Sequence, residues 1–147
     1  MELSLSQALK KGLEAQRAGK VQEADRYYTA VLKAQPKNPE ANHNLGVLAV
    51  EIGKVKEALP YLRKALEIDP EKAQFWLSYI DALIKLDRLE DAKTVLSKAK
   101  NKGFSRQKLD VLDARIKELI KTISISHSEK KTQHIISDNL KLDQAIK

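Results

Sequence analysis

The chain has 147 residues, enough for one domain of ordinary size; 42% are hydrophobic but only 5% aromatic, so a core must be packed mainly from Leu, Ile, Val and Ala. It has no cysteine, which excludes disulfides, thiolate metal sites and a cysteine nucleophile, and no apolar run long enough to span a bilayer. A formal net charge of +7 leaves acidic partners or nucleic acid to be considered.

The opening Met1-Glu-Leu-Ser-Leu-Ser6 lacks the basic and apolar segments of a secretory signal, so a cytoplasmic protein is expected. Ser4 with Gln7 reads as a capping box for a first helix over about 4–18, ended by Gly19. A second helix over 21–34 carries Tyr27, Tyr28 and Val31 toward the core. Asn38-Pro39 is an N-cap with proline in the first turn, and starts a helix over 40–52; Gly53 turns the chain into another over 55–68. Pro60 removes one backbone bond there and bends the helix slightly. Asp69-Pro70 repeats the cap logic ahead of a helix over 72–86 with Trp76, Tyr79 and Leu83. Asp87 then takes the turn, a helix follows over 89–102, and Gly103 closes it. Ser105 caps a seventh helix to about 121, with Leu109, Leu112, Ile116, Leu119 and Ile123 in one stripe. Ser124 to Thr132 reads as a linker. Ile135, Ile136, Leu140, Leu142 and Ile146 are then apolar again, as the start of a further element, an amphipathic tail that docks in its own or a neighbour's groove, or a disordered segment.

These elements repeat with a period of about 34 residues. Ala24, Ala58 and Ala92 share one offset; Val31, Ala65 and Ala99 another; Gly19, Gly53 and Asp87 a third. Gly12 matches Gly46, and Pro36 matches Pro70, with Phe104 at the third such place. By these marks the chain resembles the tetratricopeptide repeat (TPR) family. The resemblance implies an all-α, right-handed α-solenoid of three helix pairs, repeats 5–38, 39–72 and 73–106, with a C-terminal capping helix at about 105–121. The expected domain is 1–122, followed by the 123–147 linker and tail. Small residues such as Gly46, Ala49, Ala58 and Ala65 would sit where paired helices approach most closely. Asn42-His-Asn-Leu-Gly-Val-Leu-Ala49 and Phe75-Trp-Leu-Ser-Tyr-Ile-Asp-Ala-Leu-Ile84 are also similar to the N-terminal TPR region of large bacterial glycosyltransferase or sulfotransferase proteins.

In the TPR frame the concave face takes Leu9, Leu13, Gln16 and Arg17, then Glu40, His43, Val47, Val50 and Glu51, then Gln74, Leu77, Asp81, Ile84 and Lys85. Leu9, Leu13, Val47, Val50, Leu77 and Ile84 would form an apolar strip, and Gln16, His43, Asn44 and Asp81 would give direction to a bound segment. The expected partner is a protein or peptide laid in this groove. The same residues could instead serve as interhelix core. Capture of a chaperone's C-terminal carboxylate, known in the family, needs Lys, Arg and Asn where this chain has Leu9, Leu13, Asn44, Gln74 and Ser78, so only Asn44 matches. The asparagine ladder of O-linked N-acetylglucosamine transferases has Lys10, Asn44 and Ser78 at its places. An open apolar groove and an apolar tail in one chain also admit self-association.

No nucleophile elbow, phosphate loop or His-Glu motif occurs, and His43, His127 and His134 lack partners at ligand spacing. No catalytic residue, cofactor or metal site is therefore expected. The run Lys93, Lys98, Lys100, Lys102, Arg106 and Lys108 has no interleaved aromatic but Phe104, so it reads as a solvated face and nucleic acid is disfavoured as a partner.

Overall fold

The computed structural model describes residues 3–146. They form seven helices: α1 (Leu5–Arg17), α2 (Val21–Ala34), α3 (Pro39–Glu51), α4 (Val55–Ile68), α5 (Ala73–Lys85), α6 (Leu89–Asn101) and α7 (Arg106–Ile146). Among the described residues there is no strand, and no helix is long and apolar enough to cross a membrane. Helices pair as α1–α2, α3–α4 and α5–α6. Each pair packs on the next, and α7 lies against α5 and α6, giving a helical-repeat solenoid.

Local chemistry starts and stops these helices largely as the sequence predicts. Ser4 and Gln7 form a reciprocal capping box, and Asn38 accepts from the Ala41 amide with Pro39 in the first turn. Gly19, Gly53 and Gly103 have positive φ, and Asp87 takes the same left-handed conformation at φ 57°. The cap expected at Asp69-Pro70 is corrected. Asp69 instead ends α4, and α5 starts from Lys72, which makes no side-chain cap. Pro70 contributes through its carbonyl, which accepts from Trp76 Nε1 at 2.7 Å. One repeat earlier, Asn42 does the same to the Pro36 carbonyl at 3.2 Å and also donates to the Asn38 carbonyl at 2.8 Å. Asn42 is only 1% exposed, so these bonds satisfy an amide that would otherwise be costly to bury.

Within each of the first two pairs, a glycine lets the helices touch. A Cβ on Gly12 would meet the buried Tyr28 ring at 2.5 Å, and one on Gly46 would meet Leu62 Cδ2 at 2.6 Å. The largest core cluster joins α4 to α7 through Phe75, Trp76, Ile80, Leu83, Leu96, Leu109 and Ile116. Phe104, at the third proline-equivalent place, packs on this core with its ring 6.3 Å from Trp76.

The linker expected from Ser124 is also corrected: α7 runs unbroken from Arg106 to Ile146. No glycine or proline follows Phe104, so no residue there stops a helix; serine and threonine alone do not. Lys121 stands one period after Asp87, where the earlier pairs turn, and it supplies no left-handed residue. Leu109, Leu112, Ile116, Leu119 and Ile120 seal the stack. From Lys121 to Gln133 every side chain but Ser126 is exposed. Of the tail's apolar residues Ile136 is 54% exposed. The side chains of Ile135, Leu140, Leu142 and Ile146, like that of His134, lie outside the described residues.

Candidate functional site

Three helices build the concave side. Leu13, Gln16 and Arg17 project from α1; His43, Asn44, Val47 and Glu51 from α3; Gln74 and Ser78 from α5. Together they line a cavity of about 500 Å³. Their spacing on α3 places His43, Val47 and Glu51 along one stripe. A second hollow of about 360 Å³ continues from Gln74 and Ser78 past Leu77 and Asp81 to Lys108, Val111 and Leu112 of α7. The groove thus extends across a fourth helix.

The groove's polar groups are bridged in pairs across repeats. Gln16 accepts from the Tyr28 hydroxyl at 2.7 Å and donates to Glu51 at 3.0 Å, which ties α1, α2 and α3 together. His43 Nε2 lies 2.8 Å from Ser78 Oγ, and its ring stands 4.8 Å from Phe75. Gln74 donates to the same Ser78 hydroxyl at 3.4 Å. Burial lowers the His43 pKa, the Asn44 hydrogen bond opposes that shift, and the Lys72 charge adds to it. These effects together favour the neutral ring. Lys72 pairs with Glu40 at 3.2 Å on the rim. Asp81 holds Lys85 at 2.8 Å and Arg115 of α7 at 2.9 Å, so it anchors the capping helix. Desolvation pushes the Tyr28 hydroxyl up to about 12, with the Glu51 charge adding to the effect.

Not every residue expected in the groove lines it. Leu13, Gln16, His43, Asn44 and Val47 come together in the main cavity, while Leu77 and Asp81 line the hollow beside α7. Leu9 packs among α1, α2 and α3, and both Val50 and the cavity-lining Val47 pack beside Ala58, Leu62 and Ala82. Ile84 is 2% exposed and belongs to the α4–α7 core, which corrects its placing in the groove. The cluster that buries it draws on α4, α6 and α7, which no spacing within α5 reveals.

Sequence reasoning misses Lys108, Val111 and Leu112 as groove residues, and Arg115 as the partner of Asp81. A signal for them exists: they stand one period after Gln74, Leu77, Ser78 and Asp81. The expected solvated basic run is in part ion-paired, Lys93 with Glu90, Lys100 with Asp113 and Lys102 with Glu71. Hydrogen bonds from Lys100 and Lys117 hold the Asp113 carboxyl below its usual range, which fastens α6 to α7. Among the described residues, no group of three or more His, Asp or Glu side chains is arranged to hold a metal ion.

Two family models, both described as tetratricopeptide repeat, match residues 9–73 and 49–108. Over 77 residues the chain is 34% identical to an Arabidopsis thaliana protein named as a CTR9 homolog, and over 85 residues 32% identical to a TPR repeat-containing protein of Dictyostelium discoideum. The matches cover 48% and 58% of this chain but only 7% and 32% of those relatives, so the chain spans a minor part of their length. Among solved structures, the TPR2B domain of yeast Sti1, in a complex with an Hsp70 peptide, superposes with a TM-score of 0.72 at 21% identity, covering 78% of this chain and 97% of that one. The Thermobaculum terrenum O-GlcNAc transferase superposes at 0.62 with 31% identity, covering 69% of this chain and 20% of that one.

Proposed function

The chain belongs to the tetratricopeptide repeat family, and from that premise we propose that it is a non-catalytic protein-interaction module whose concave groove holds a peptide or helix of a partner. The observation that supports this reading is the mixed lining of the groove. Leu13 and Val47 offer apolar contact beside the hydrogen-bonding groups of Gln16, His43, Asn44, Gln74 and Ser78. Such a surface fixes a polypeptide by shape and by its backbone amides and asks for no reaction. The cavity carries one base, Arg17, and one acid, Glu51, and so lacks the basic cluster that a terminal carboxylate requires. Leu77, Asp81, Lys108 and Val111 extend the contact, and residues 1–122 form the interacting domain. The exposed Ile125 and Ile136 of α7, eleven residues apart and so on one face of the helix, offer a surface for self-association.

Panning a displayed peptide library on the wild-type protein and on the Leu13→Glu/Val47→Glu variant tests the groove. Peptides selected by the wild type should bind the variant about tenfold or more weakly while its helical circular dichroism is unchanged. Equal binding by both would remove the groove from the proposal.

A second reading, that this is the substrate-recruiting arm of a larger bacterial glycosyltransferase or sulfotransferase, draws on the 31% identity to the transferase structure. It predicts that peptides selected by the groove are modified faster when the arm is fused to such a catalytic domain, and that Leu13→Glu/Val47→Glu erases the gain.

A further inference from the structure

The groove leaves another hollow unexplained. On the other side of α3, a cleft of about 640 Å³ opens between α2 and α4. Leu45, Leu48, Ala49 and Ile52 make its floor, and helical periodicity puts them on the face turned away from His43, Val47 and Glu51. Val21 and Tyr61 flank it. The concave-groove reading accounts for none of these residues.

The protein carries its own comparison for this cleft, because the next junction is built from the residues one period later. There Leu59 stands in place of Asp25, Tyr79 in place of Leu45 and Leu83 in place of Ala49. Leu83 is 0% exposed, and Leu59 and Tyr79 pack against the core beside it. At the first junction a carboxylate, a shorter side chain and a methyl group leave part of that space open, while the buried Leu48 fills more of the floor than its counterpart Ala82. The consequence reaches the neighbours. Ile52 is 44% and Tyr61 38% exposed, whereas their counterparts Leu86 and Val95 are half-buried. Apolar side chains exposed around a concavity mark a place for a partner.

We propose that this cleft is a second docking site, for an amphipathic helix of a partner protein that presents an aromatic and a leucine side chain one turn apart. The occupant's chemistry is read from the filled junction. Tyr79 and Leu83 lie four residues apart on one helix and occupy the corresponding space, so a partner helix with the same pair supplies what α3 lacks. The rim agrees with a helix. Asp25 and Arg26 stand exposed on the α2 lip, and Lys54 and Glu57 on the α4 lip. Each lip offers one acid and one base, so charged residues flanking the apolar pair find an opposite sign on either side. A site here, facing away from the concave groove, lets the protein hold two polypeptides at once.

The probe is a short alanine-based helical peptide with Tyr and Leu one turn apart and flanking Lys and Glu, titrated into isotope-labelled full-length protein and followed by NMR. Saturable shifts are expected at Ala49, Ile52 and Tyr61, and none with the same peptide carrying Ala for Tyr and Leu. The Asp25→Leu/Ala49→Leu variant fills the cleft from within, as in the next junction. It should bind the peptide about tenfold more weakly with an equal or higher Tm. Tyr61→Ser, on the exposed rim, should weaken binding with no loss of fold, whereas Leu13→Glu, across α3 in the concave groove, should leave it unchanged. The proposal is overturned if the filled variant binds as tightly as the wild type, if no saturable shift occurs, or if the shifts fall on Leu13 and Val47. A concentration-dependent dimer that buries Ile52 and Tyr61 without peptide would also overturn it, by giving the cleft to a second copy.

Discussion

Gly46 is the residue at which the second helix pair is most sharply constrained. A methyl group there would sit 2.6 and 2.7 Å from Leu62 Cδ2 and Cγ, and 3.3 Å from the Leu62 amide nitrogen, with Leu62 itself only 1% exposed. Alanine is the better helix former by about 1 kcal/mol, yet overpacking costs about 1–3 kcal/mol. Gly46→Ala is therefore expected to lower stability by up to about 2 kcal/mol in urea unfolding; a more stable variant would mean that Leu62 can move aside. Tyr28 makes a different prediction. Its folded pKa of about 12 lies above the ordinary value of 10.0, so above pH 10 the unfolded chain gives up a proton that the folded chain keeps. The stability advantage of the wild type over Tyr28→Phe should be constant below pH 10 and shrink between pH 10 and 12. A gap that stays level over that range would contradict the buried hydroxyl. For His43 the sign is reversed. Its folded pKa is lowered from 6.5, so stability present above pH 6.5 is lost as the pH falls below it, with Glu40 and Lys72 the charged groups facing the ring. His43→Gln should flatten that acid limb in pH-dependent melting. At this scale the sequence is informative where a residue's neighbours are its own repeat: Gly12, Gly46 and Asn38 announce their roles. It is silent where a distant helix decides burial, as at Ile84.

Helix α7 shows what an element gains when no residue stops it. The preceding pairs reverse at Gly19, Gly53 and Asp87, each in the left-handed conformation; one period on, Lys121 does not. The run of serines after Ile123 reads as a linker because serine is common in loops. Yet serine disfavours a helix by only a fraction of a kcal/mol, and glycine and proline are absent there. That energetic difference, and not the polarity of the segment, decides the outcome. Ser124→Pro should reduce total helix content by circular dichroism while leaving the unfolding of the solenoid within about 0.5 kcal/mol, because the described side chains past Ile120 join no core cluster. A large drop in Tm would show that the distal half of α7 supports the body.

At the scale of the whole molecule, the core is unevenly distributed. One large cluster ties α4 through α7, whereas α1 and α2 share smaller, separate clusters with α3, and α2 borders the open cleft. Stacked repeats draw stability from their neighbours, so amides of α1 and α2 should exchange with solvent faster than those of α5 and α6. Equal protection at both ends would contradict the gradient. The period predicts the stack because the repeating small residues report packing within a pair. The difference between junctions emerges only when each position is compared with its counterpart one repeat later.

The unbroken passage of α7 past Lys121 has a geometrical consequence of its own. Its 41 residues span about 60 Å, and each residue advances the bearing of its side chain by about 100°. Two residues inserted after Lys121 would lengthen the rod by only about 3 Å but swing its distal side chains to nearly the opposite side. Seven would add about 10 Å and return them almost to their original azimuth. A partner that grips both the solenoid and the rod would thus be sensitive to phase more than to distance.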